Sequence, residues 1–320
     1  MKIYDAYKLA IETGMSKDLR PKKEVDRLLA DSRKAFDSLP EDRKELFDRE
    51  RLWNPYPDCR FSCGVEEAME KEAECFMWGI DITPSEVLLA DRLREKGRRI
   101  DAIVAHHPLG SSKTCFPEVM WLMTDMFHNM GVPINVAESL MKPRMAEVSR
   151  GMMGYNFNHA IDTAKILGFP VMNIHSAADN MVQDYLTRLF ERTNPYTLDD
   201  IIDTLYTEPE FRESAKYIAP PRIVVGSGRD RCGRIMCKMT GGTSVPKEIY
   251  PKLAEAGVGT VVGMHFPDSH YDEARKCGIN MVVSEHMCSD SLGVNLICDV
   301  WEKHGIDVIP CSGFMRHSRN

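Results

Sequence analysis

Short apolar runs along the chain alternate with stretches whose apolar residues recur at helical spacing. The opening section differs. Over 1–52 the pattern is helical and polar, with Val25, Leu28, Leu29 and Phe36 approximating one stripe and Ser38-Leu-Pro-Glu41 shaped like a capping box. The run 41–51 is mostly charged, so this face is expected to be solvated or thinly packed on the body. Breaks at Asn54-Pro55, Pro57 and Asp58 mark a loop. Strand and helix signals then alternate. Strands are expected over 74–82, 100–105, 132–136, 169–174, 222–225, 235–239, 260–263 and 279–284. A helix should open at Thr83-Pro-Ser-Glu86 and close at Gly97. Further helical stretches are expected over 117–130, 143–167, 180–217, 246–256, 271–277 and 291–304. This order predicts an α/β fold with mostly parallel sheets, arranged as two α/β lobes plus an N-terminal helical extension. The expected division is an extension over 1–70, a first lobe over 71–180 completed by 290–320, and a second lobe over 181–289.

Composition narrows the class. The 320 residues carry 41 Lys plus Arg against 48 Asp plus Glu, a net charge of −7, which makes nucleic acid an unlikely partner. Apolar residues at 43% and charged residues at 28% are globular values, so wholesale disorder is excluded. No apolar run has the roughly 18 residues of a membrane span, and charges in the first 14 residues do not suit a signal peptide. A cytoplasmic location is therefore expected. Ten Cys occur without any C-x-x-C spacing, and reduced, buried thiols are the reading preferred over a structural metal cluster. Met120, Met123, Met126 and Met130 at helical spacing read as flexible core filler.

The chemistry gathers at strand ends. The strand over 100–105 ends in His106-His107, and the strand over 169–174 ends in His175 with Asp179 four residues on. The strand over 279–284 ends in Glu285-His286, with Asp290 four residues beyond that His. In open α/β sheets ligands sit beyond the carboxyl ends of strands. Imidazoles with carboxylates and no thiolate suit divalent Zn, Fe, Mn, Co or Ni. Pro108 halts the strand after the His pair, so two neighbouring imidazoles can serve two different ions. An Arg- and Gly-rich segment, 226–234, is a weaker candidate for a phosphate nest, with a plain turn as the preferred reading.

These segments resemble a family. Trp78-Gly-Ile-Asp-Ile-Thr83 followed by Ile103-Val-Ala-His-His-Pro-Leu109 is similar to the opening of the Ngg-interacting-factor-three-like proteins, often labelled GTP cyclohydrolase I type 2 homologues. His175-Ser-Ala-Ala-Asp179 resembles the family's His-Thr-Asn-Leu-Asp segment, and His286-Met-Cys-Ser-Asp290 its last Gly-His-x-x-x-Glu segment, over about 75–315 in all. The resemblance implies a dinuclear centre of two divalent metal ions in the cleft between the lobes, held by His106, His107, Asp179, His286 and Asp290. It makes His175 a residue that stands behind the ligands or lines the pocket, orienting a ligand or substrate, and His270 and His265 the candidates for proton transfer. It also implies a homohexamer and a metal-dependent hydrolase acting on a small, nucleotide or phosphorylated substrate. The competing class is a non-enzymatic metal-binding or regulatory protein. Two departures stand out: Asp290 replaces the family's Glu, and Glu285 replaces the Gly before the His.

Overall fold

A computed structural model describes residues 1–320. Its nine strands form two sheets. The first contains β1 (Phe61–Cys63), β2 (Cys75–Gly79), β3 (Ala102–Ala105), β4 (Val171–Asn173) and β9 (Asp307–Cys311), in the order β1-β4-β3-β2-β9. The second contains β5 (Arg222–Val225), β6 (Arg234–Lys238), β7 (Val258–Gly263) and β8 (Asn280–Val283), in the order β5-β8-β7-β6. All pairings are parallel except β1 with β4 and β5 with β8. The expected two-lobed α/β architecture with mostly parallel sheets is thus what the chain adopts. In each sheet the parallel strands end on a common edge, and loops from that edge carry the candidate chemistry.

The first section is more integral than its polar pattern suggested. The helix Ile3–Met15 buries Ile3, Ala6, Tyr7, Ala10 and Ile11 in a core that also holds Phe76, Trp78 and Trp301. The Trp301 indole donates to the Ala6 carbonyl at 2.9 Å. The charged run 41–51 is thinly packed as expected, burying no residue, and the helix before it, Lys22–Asp37, buries Val25 alone. Two strands escaped the pattern because each lies at a sheet edge: β1 has three residues, and β9 contains Pro310, a residue tolerated at edges.

The expected strand over 132–136 does not form. Pro133 instead caps a helix, Ile134–Met152, and its ring pre-sets the φ a helix start requires. The stretch expected as one helix over 143–167 is two, separated by Met153-Gly-Tyr-Asn-Phe-Asn158, before the helix His159–Leu167. Met120, Met123 and Met126 fill a core shared with Met236, Ile249 and Met281 of the second lobe, as their spacing implied. The segment 226–234 is a turn whose Ser227 amide donates to the Asp230 carboxylate at 2.7 Å, so its own side chain occupies the place expected for an anion. No helix is long and apolar enough to cross a membrane, and all ten cysteines are free thiols.

Candidate metal centre

His106 and His107 follow β3 directly, and their amides donate to the carbonyls of Gly79 and Ile80 at 3.0 and 2.9 Å. His175 caps the helix Ser176–Thr193 after β4, with Asp179 in its first turn. His286 opens the helix His286–Glu302 after β8, and Asp290 lies one turn on. These two helices pack closely. A Cβ on Gly293 would lie only 2.3 Å from the Ala178 carbonyl oxygen, so glycine permits the approach that brings Asp179 and Asp290 together.

The donor atoms converge. His106 Nε2 lies 3.4 Å from Asp179 Oδ1 and 3.5 Å from Asp290 Oδ1. The other Asp290 oxygen, Oδ2, lies 3.5 Å from His107 Nε2 and 3.3 Å from His286 Nε2. Three sets have ligand atoms within 4.8 Å of one another: His106, Asp179 and Asp290; His107, His286 and Asp290; and His106, His107 and His175. These buried His and Asp groups can hold a metal ion.

Three imidazoles are oriented through their other nitrogen. His106 Nδ1 meets the Ile174 carbonyl at 3.1 Å, His107 Nδ1 meets Asp81 Oδ1 at 2.8 Å, and His175 Nδ1 meets Asp58 Oδ2 at 2.7 Å. A proton on each Nδ1 leaves Nε2 as a lone-pair donor toward the centre, the usual outer support of a metal-binding His. His175, expected behind the ligands, instead directs Nε2 inward, 3.8 Å from Asp179 Oδ2. Asp58 and Asp81 were missed by the sequence reading. Asp58 lies in a loop taken as a simple break, and no local pattern marks it. Asp81 follows β2, so the strand-end reasoning used for the histidines was able to find it.

The electrostatics are those of a site that seeks positive charge. Burial opposes charging His106, yet Asp290 and Asp179 outweigh it and raise the imidazole pKa. Burial would raise the Asp290 carboxyl, but His106 and His286 hold it well below the usual range. Of the two proton-transfer candidates, His265 stacks near His286, with ring centroids 4.9 Å apart. His270 lies farther off, its Nδ1 3.0 Å from the Tyr250 hydroxyl, in a cavity it shares with His265 and Lys238. Burial, helped by Arg144 and Lys238, lowers His270 to about 4, against 6.5 for a free imidazole. Between these values the unfolded chain binds more protons than the folded one, so stability falls as pH drops from about 6.5 toward 4. His270→Gln should remove up to about 3 kcal/mol of that acid sensitivity. Denaturant titrations of metal-free protein at pH 7 and pH 4.5 check it, and identical pH slopes in both proteins would refute it.

Glu285, at the turn from β8 into the helix, has φ 79° and ψ 143°, a region glycine occupies freely and other residues rarely do. Its carboxylate pairs with Arg222, an exposed guanidinium of little energetic weight. Strain of about 1–3 kcal/mol outweighs the 0.5–1 kcal/mol of chain entropy that glycine adds to the unfolded state. Glu285→Gly is therefore expected to raise the melting temperature by a few degrees with metal content unchanged; a lower melting temperature would show that the turn is not strained.

No family model matches the sequence, and no curated protein matches it significantly. Solved structures do. The crystal structure of a NIF3 superfamily protein from Sphaerobacter thermophilus is 27% identical, with a TM-score of 0.68 over 80% of this chain and 91% of that one. Reduced HcgD from Methanocaldococcus jannaschii, 15% identical, shares the fold with a TM-score of 0.51 over 84% of this chain and 94% of its own. In two-lobed topology and in sequence this chain is thus similar to a NIF3 superfamily protein, and its strand-end His and Asp segments are those on which the family resemblance rests.

Proposed function

We propose that the chain holds two divalent metal ions between its lobes and serves as a metal-dependent hydrolase of a small substrate. The observation that carries this reading is a set of buried polar atoms with no hydrogen-bond partner: His106 Nε2, Asp179 Oδ1 and both Asp290 oxygens. Such atoms are costly unless something satisfies them, and a cation does so for an imidazole and two carboxylates at once. His106, Asp179 and Asp290, with His175 beside them, would hold one ion; His107, His286 and Asp290 would hold the other. Asp290 is short for a bridging carboxylate, but its two oxygens already face different histidines.

When bound, divalent cations supply Lewis-acid chemistry, polarising the bond under attack and making water a competent nucleophile near neutral pH. Zn, Fe, Mn, Co and Ni all suit this donor set. The chain's own groups do the rest. Asp58, Asp81 and the Ile174 carbonyl hold three imidazoles in register. Burial, aided by His286 and Lys238, lowers His265 to about 4. His265 and His270 are therefore neutral at pH 7, weak bases that would take a proton only from a strongly acidified donor such as metal-bound water. A cavity of about 390 Å³ beside His286, lined by Arg222, His265, Tyr271 and Glu285, has room for a small molecule, and a nucleotide or other phosphorylated one is the class proposed. A cytoplasmic homohexamer completes the proposal. Free thiols fit a reducing compartment, and solution mass checks the assembly.

Elemental analysis of protein purified without chelator and supplied with metal tests the core of this reading, with about two ions per chain expected. Less than about half an ion would sink it. Turnover on a panel of phosphoesters and GTP is expected in addition; metal bound without any hydrolysis would favour the non-enzymatic metal-binding class.

A further inference from the structure

Beside the metal centre the two lobes meet at Phe116, whose ring centroid lies 5.8 Å from that of His175. From the second lobe, a Cβ on Gly242 would lie 2.8 Å from the Phe116 ring, so glycine lets that loop close on it. A lysine stands on either side of the contact. Lys113, in the short helix Gly110–Thr114 after the His pair, holds its ammonium 5.7 Å from the Phe116 centroid. Lys238 ends β6, and its Nζ donates to the Thr243 carbonyl, next to Gly242, at 2.7 Å. It lines one small cavity with His265 and His270, and its charge acts on both. Neither lysine is sealed from solvent, both being partly exposed. Neither is hydrogen-bonded to a carboxylate. The carboxylate acting on Lys113 is Asp81 and that acting on Lys238 is Asp179, and each of these already faces an imidazole of the centre. Half-buried ammonium groups without a counter-charge are costly unless a ligand supplies one.

We propose that Lys113 and Lys238, one from each lobe, bind the terminal phosphate of a phosphomonoester at the centre and select substrates by that group's double charge. The inference rests on the two-ion reading above and narrows its substrate class. Charge balance makes the selection. Two divalent ions would offset Asp58, Asp81, Asp179 and Asp290, the carboxylates that face the imidazoles. Around them Glu285 pairs with Arg222 and Glu147 with Arg144, and Glu248 adjoins Lys247. Lys113 and Lys238 are left without a counter-charge. Burial lowers Lys238 to about 8, so it is still charged at pH 7. Two ammonium groups match a phosphomonoester dianion better than the single charge of a diester or a neutral amide.

Calorimetric titration of the zinc-loaded full chain at pH 7.5 tests it, without reliance on turnover. The probes are inorganic phosphate, benzylphosphonate as a phosphomonoester mimic that resists hydrolysis, and dimethyl phosphate as a diester monoanion. Phosphate and benzylphosphonate should bind 1:1, and dimethyl phosphate at least about tenfold more weakly. Lys113→Met and Lys238→Met should each weaken benzylphosphonate about tenfold, the loss of one charge-assisted contact, with zinc content and circular dichroism unchanged. Lys238 also anchors Thr243, so Lys113→Met guards against a purely structural effect. A chain that holds no zinc would sink the two-ion reading and this inference with it. A zinc-loaded chain that binds benzylphosphonate and dimethyl phosphate equally, or whose affinity survives both substitutions, would overturn this inference alone. So would binding of inorganic phosphate with benzylphosphonate excluded, which would mark a site for the free ion.

Discussion

Asp290→Asn should strip the centre of most of its metal. The substitution keeps the side chain's shape but replaces one anionic oxygen with an amide nitrogen that cannot act as a ligand. Asp290 is the one residue whose two oxygens face both halves of the site, toward His106 on one side and toward His107 and His286 on the other. In the proposed two-ion centre a change there would be felt at both positions. Affinity is expected to fall by more than the 10–100-fold typical of losing an outer support. Asp81→Asn provides that comparison, since Asp81 touches only His107 Nδ1. Competition of each protein against a chelator of known zinc affinity gives the numbers. Unchanged affinity in Asp290→Asn, or a larger loss in Asp81→Asn, would show that Asp290 is not shared between the two positions.

Arg319→Ala should be strongly destabilising although it lies away from the centre. Glu210 is fully buried, and Arg319 meets its two oxygens at 2.7 and 2.8 Å while also reaching Glu208 at 3.0 Å. Without the guanidinium, Glu210 keeps only the Asn295 amide, at 2.7 Å. Breaking a buried pair costs about 3–5 kcal/mol because the surviving charge stays desolvated; Arg319 is partly exposed, which places the expectation near about 3 kcal/mol. Glu210→Gln in the same background should recover a good part of it, because the neutral amide no longer needs a counter-charge. Chemical denaturation of the single and double variants decides. A loss below about 1 kcal/mol, or a double variant no more stable than Arg319→Ala, would mean that the pair is not stabilising the fold.

The centre was legible in the sequence to the extent that it depends on local position. His106, His107, His175 and His286 each follow an apolar run, and the edge of a parallel sheet is where such residues meet. Asp179 and Asp290 were legible through their four-residue spacing from His175 and His286, which puts each on the first or second turn of a helix. Groups acting across long sequence distance were hidden. Asp58 reaches His175 over 117 residues, from a loop where Pro and Asp signalled only a break. Edge strands β1 and β9 were hidden because an edge needs little apolar pattern. Val132-Pro-Ile134 misled in the opposite sense: apolar residues at the start of a helix imitate a strand until the proline is read as a cap. The helix Ile3–Met15 looked peripheral because its polar residues were counted, while one face of Ile3, Tyr7, Ala10 and Ile11 was enough to seat it in the core.

The close crossing at Gly293 has a mechanical consequence. Asp179 comes from one lobe's sheet edge and Asp290 from the other's, yet both sit on helices whose backbones touch. The cleft therefore cannot open at its floor without unseating that contact. Any breathing must take place at the rim, where the segment after β3 and the loops around His265 lie. Such a construction separates roles: the floor fixes the donors through helix packing, and the rim sets what is admitted.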